Sequence, residues 1–167
     1  MIWSIVSLIY PILILTVAMC YYKKDGRLMK AFYVRMAYHD VARRFYVLAV
    51  MMLLLVYLFI QTRCRVNVIE TFLPLTLSAV LIRHQLAELL FYFLKKRKVM
   101  ITTNTLALAA IFTPHLYPMA VTLAILLTAA IFYPSKQLRN MVASPQAFRM
   151  LMFDKSEITQ NYSSFAS

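Results

Sequence analysis

Between Val99 and Tyr133 the chain runs for 35 residues without one charged side chain, and Met1 to Tyr22 is uncharged as well. The hydrocarbon core of a bilayer is about 30 Å thick, and a helix crosses it with roughly 20 mostly apolar residues. Runs of this kind, separated by clusters of Lys and Arg, predict an all-α, polytopic integral membrane protein. The composition agrees, with 62% of the 167 residues apolar and only 14% charged, against roughly 25% charged in soluble domains. One glycine and 14% aromatic residues exclude collagen-like, linker and low-complexity chains.

About five transmembrane helices are expected. The first covers residues 1–22, with Pro11 near its middle as a kink. A secretory signal peptide fits poorly, because no basic segment precedes the apolar stretch, and Met19 spoils a lipoprotein cleavage box before Cys20. The second, 45–62, is bracketed by Arg43-Arg44 and Arg63 and is apolar on all faces. Residues 70–94 read as one long tilted helix with Pro74 near its start. The alternative is a shorter span, Val66 to Ile82, followed by an amphipathic helix in the headgroups. One helix is preferred because Leu89 to Leu94 is apolar all round.

The 35-residue run is too long for one crossing. Pro114 and Pro118 push their preceding residues out of α geometry, which divides the run into a final helical hairpin, 99–112 and 116–133, with His115 in its turn. Residues 1–143 thus form a transmembrane helical domain. Within it, 23–44 holds a basic cytoplasmic or interfacial helix in which Phe32, Tyr33 and Met36 interleave with Lys30, Arg35 and His39. Residues 144–167 form a polar cytoplasmic tail.

The 18 Lys and Arg outweigh 6 Asp and Glu, a net charge of +12. In a five-span chain fifteen of these cations fall on one side: seven in 23–44, four in 95–98 and Lys136, Arg139, Arg149 and Lys155 in the tail. The opposite side keeps Arg63 and Arg65, and Arg83 lies within a span. The positive-inside rule then sets the N-terminus outside and the C-terminus in the cytoplasm, in a membrane read as the bacterial inner membrane. Lys23, Lys24, Arg43, Arg44, Lys95, Lys96, Arg97 and Lys98 are the expected contacts to anionic lipid headgroups or an acidic partner.

Three further features stand out. On a continuous third span, Thr76, Arg83, His84 and Glu88 share one face, with His84 and Glu88 one turn apart. Ionisable groups at that depth must face protein or water. On the last span Ala120, Ala124 and Thr128 recur every four residues as a helix-packing seam. Cys20 and Cys64 fall at opposite faces, where they cannot pair.

No catalytic motif, metal-ligand set or cofactor loop is present, and the lone Gly26 excludes most phosphate-cradling loops. The expectation is a small noncatalytic, structural subunit of a multiprotein membrane complex, such as a secretion or transport machine. Its partners would be membrane lipids and other membrane-protein subunits, with no nucleic acid; a homo-oligomer is compatible. The alternative is an oligomeric channel or transporter using the Arg83/His84/Glu88 face.

Overall fold

A computed structural model of the chain describes residues 2–21, 27–63, 68–113 and 116–135. Among these residues every regular element is helical. The helices are α1 (Ile2–Tyr21), α2 (Arg27–Tyr38), α3 (Asp40–Arg63), α4 (Val68–Ile82), α5 (His84–Leu94), α6 (Arg97–Ile111) and α7 (Tyr117–Phe132). Lys23, Lys24, Cys64, Arg65, His115 and the tail 144–167 lie outside the described residues.

Helix α7 is the axis of the fold. It packs against α1, α3, α4, α5 and α6 and buries Val121, Thr122, Ile125, Leu126, Ala129 and Ala130 among its residues. Small side chains allow this close approach on several sides at once. Ala120 is buried, but Ala124 and Thr128 are only half-buried, so contact runs around α7 rather than along one seam. Thr122 and Thr128 satisfy their hydroxyls one turn back, on the Pro118 and Ala124 carbonyls.

The long helices alternate in direction. Trp3 meets Phe59 edge-on and Tyr10 stacks on Tyr57 while donating to the Leu53 carbonyl, so α1 and α3 are antiparallel. Arg44, Val47 and Met51 share a cavity wall with Leu81, Ile82 and His84, which brings the end of α4 to the start of α3. Helices α6 and α7 form the expected hairpin, with Pro118 in the first turn of α7, where a missing N–H costs nothing. The N-termini of α3 and α6 and the C-terminus of α7 therefore meet at one end, with α5 beside them.

Two boundaries differ from the sequence expectation. Helix α4 starts at Val68, upstream of Pro74, which is an interior residue. The continuous 70–94 helix is not formed. Arg83 adopts extended backbone, φ −86° and ψ 102°, and the chain bends by 117° between Thr71–Ile82 and His84–Leu94. The cause is tertiary: α5 buries Ala87, Phe91 and Leu94, one helical face, against the ends of its neighbours, which a straight helix could not reach.

Among the described residues one helix, α3, suffices alone by length and composition to cross a membrane; its 24 residues span about 36 Å. The bent pair meets the same criterion together, and Ile5–Tyr21 and Tyr117–Phe132 are shorter apolar helices. Large apolar side chains remain exposed around the outside, among them Leu13, Phe45, Phe59, Phe72 and Ile101.

Candidate functional site

Among the described residues an ionisable cluster forms where α3 begins, α5 lies and α7 ends. The Glu88 carboxylate on α5 is its hub. It accepts a 2.7 Å hydrogen bond from the Tyr133 hydroxyl, and the same oxygen stands 3.7 Å from Arg43 Nε and 3.5 Å from His84 Nε2. Three elements distant in sequence are tied through one carboxylate.

Arg43 is only 4% exposed. Its Nη1 donates to the Met36 and Ala37 carbonyls at 3.1 and 3.0 Å, two of the acceptors that the last turn of α2 leaves without intrahelical partners. Its Nη2 pairs with Asp40, in the first turn of α3. The guanidinium thus joins α2 to α3 across His39 and holds one half-buried and one exposed carboxylate. Its five fixed donors suit this branching role, which a lysine would fill incompletely.

Lys95, just beyond α5, is 5% exposed and donates from Nζ to the Tyr133 carbonyl at 2.9 Å. Burial pushes its ammonium down from an ordinary 10.5 to about 8. Tyr133 therefore bonds at both ends, its hydroxyl to Glu88 and its carbonyl to Lys95. An aromatic shell encloses it, with Phe91 at 5.1 Å, Tyr92 at 5.8 Å and Tyr46 at 6.2 Å between ring centroids. Tyr46 donates to the Ala129 carbonyl at 3.0 Å, pinning α3 to α7 one turn above.

Of the predicted polar face, His84 and Glu88 come together and the other two members do not. Thr76 bonds within its own helix to the Leu73 carbonyl. Arg83 is exposed in the break, so it joins the basic end of the molecule rather than the middle of a span. Among the predicted headgroup contacts, Arg44, Lys96, Arg97 and Lys98 are exposed. Arg43 and Lys95 depart from that expectation: both turn inward, the first toward Glu88, Asp40 and the α2 carbonyls and the second onto the Tyr133 carbonyl. Tyr133 and Tyr46 were missed. A tyrosine ending an apolar run reads as an interface anchor, and only tertiary contact shows the hydroxyl turned inward.

Chemically the cluster is closed. The Glu88 oxygen is surrounded by protein donors, which suits a structural tie between helices better than attack on a substrate. Three buried polar atoms, Arg43 Nε, His84 Nδ1 and the Tyr92 hydroxyl, have no hydrogen-bond partner among the described residues; Arg43 Nε keeps only its 3.7 Å ionic contact to Glu88. Comparison with protein-family models, curated proteins and solved structures finds no match to this chain.

Proposed function

We propose that this chain is a noncatalytic subunit of a multiprotein membrane complex, with α1, α3, α4, α6 and α7 crossing the bilayer and α2 and α5 lying at its basic, cytoplasmic face. The alternating helix directions support five crossings. Exposed apolar residues around α7 support a surface covered by lipid and by partner helices. The short α4 and α6, about 22 Å each, imply local thinning of the bilayer or cover by neighbours.

The observation that carries the partner is on α6. Asn104 is exposed midway along this helix, on a surface it shares with exposed Ile101, Leu108 and Ile111. An amide facing hydrocarbon lacks partners for its donors and acceptor, whereas across a helix interface it bonds and holds register. Thr105 satisfies its hydroxyl on the Ile101 carbonyl, so Asn104 is the group that needs another chain.

Purification of the full chain in mild detergent tests this. Expected is a stoichiometric, unrelated membrane protein that is lost from Asn104→Leu, with helix content and unfolding unchanged. Recovery of the chain alone, or the same partner with Asn104→Leu, contradicts the reading.

A second reading, an oligomeric channel or transporter, draws support from the unpartnered His84 Nδ1 and Tyr92 hydroxyl, groups able to receive or pass a proton or polar solute. A symmetric homo-oligomer with liposome flux that His84→Ala abolishes would favour it over the subunit.

A further inference from the structure

The elbow between α2 and α3 carries a feature that the subunit reading does not use. His39 interrupts the helix, and on one side of the bend lies an open cavity of about 660 Å³, within the roughly 300–1,000 Å³ typical of ligand sites. One face of each helix lines it. Phe32 and Met36 come from α2 and Ala42, Phe45 and Ala49 from α3. Phe45 is 72% exposed, so an apolar wall stands uncovered.

Two basic residues join this wall, Arg35 and His39, and both are exposed or half-exposed at the bend. Arg35 forms no ion pair among the described residues, while Asp40, the acid nearest in sequence, is engaged by Arg43. The exposed Arg44, Lys96, Arg97 and Lys98 lie at the same end of the molecule. The cavity therefore offers apolar walls beside an uncompensated cation.

We infer that this elbow is a binding site for a single anionic phospholipid, with an acyl chain against Phe32, Ala42, Phe45 and Ala49 and the phosphate at Arg35. The site rests on the membrane reading above and goes beyond it in naming a ligand. A lipid satisfies both halves of the cavity: its tail covers apolar side chains that water would otherwise face, and its phosphate pairs with a guanidinium shaped for bidentate contact. The location at the basic end matches the anionic cytoplasmic leaflet. A partner helix would cover the walls equally well, but it would also need an acid placed against Arg35.

The test is Phe45→Trp in a Trp3→Phe background, reconstituted as the full chain into phosphatidylcholine vesicles. A minor fraction of either brominated phosphatidylglycerol or brominated phosphatidylcholine serves as quencher. After flotation confirms insertion, the anionic lipid should quench the fluorescence of the introduced indole about fivefold more effectively than the zwitterionic one. That preference should fall away with Arg35→Gln, persist with Arg35→Lys, and survive Arg83→Gln, which removes an exposed cation outside the headgroup contacts. Equal quenching by both lipids overturns the site, as does an equal loss with Arg83→Gln. Quenching by neither lipid in a floated sample assigns the groove to a protein surface and overturns the lipid site. A chain that fails to float refutes the membrane reading itself.

Discussion

At the start of α3, Arg43 enters an ionic cluster shared with α5 and α7, whereas near its other end Gln61 donates at 2.7 Å to Tyr57 of the same helix. Both arginine and glutamine are buried, at 4% and 3% exposure. The bond between Gln61 and Tyr57 joins residues one turn apart on one helix; between helices that end has ring contacts such as Tyr10 on Tyr57 and Trp3 against Phe59. The ionic cluster positions three elements at once. Burying ions is costly unless each is paired, so the end that carries them is the more exacting in geometry, and damage there should spread further.

The largest effect should follow from breaking the ionic end. Arg43→Ala leaves the Glu88 carboxylate to Tyr133 and His84 and frees two carbonyls of α2, and is expected to cost about 3 kcal/mol in unfolding by SDS titration of mixed micelles. A cost below about 1 kcal/mol would make the two ends equivalent.

Lys95 sharpens the comparison through pH. Because its folded pKa, about 8, lies below the ordinary 10.5, the unfolded chain binds more protons between these values, and stability rises across that window. Below pH 8 both states hold the proton and the cost of burial, about 3 kcal/mol, is present in full. Lys95→Met should remove this slope, read as the wild-type-minus-variant difference from pH 7 to 9.5. Parallel curves would show that Lys95 is not buried as a cation.

Tyr133→Phe deletes a hydrogen bond to a charged acceptor and should cost about 2 kcal/mol. Gln61→Leu removes one neutral bond and leaves Tyr57 in place, for about 1 kcal/mol. Equal losses from these two would erase the distinction between the ends.

Much of the fold was legible because prolines and charge clusters punctuate it. The hairpin predicted at 99–112 and 116–133 appears as Arg97–Ile111 and Tyr117–Phe132, with Pro118 in the first turn of α7, where its missing N–H costs nothing. The break at Arg83 was legible only as the alternative, a shorter span from Val66 to Ile82 followed by a second helix, and not as the preferred reading. No glycine or proline marks it, and its cause is the packing of Phe91 and the reach of Glu88 to Tyr133, contacts between elements far apart in the chain. The site was half readable for the same reason. His84 and Glu88 are one helical turn apart and were paired from spacing, whereas Arg43 and Lys95 beside apolar runs looked like headgroup anchors until their partners were located.

Insertion as proposed places the basic end in the cytoplasm and the opposite end outside. In a chain lacking Cys20 and Cys64, single cysteines at Lys98→Cys, at the start of α6, and Thr113→Cys, beyond its end, report the two sides. With a membrane-impermeant maleimide on intact cells, Thr113→Cys should label at once and Lys98→Cys only after permeabilisation. Labelling of Lys98→Cys in intact cells, or equal labelling of both positions, would contradict the topology and the functional reading built on it.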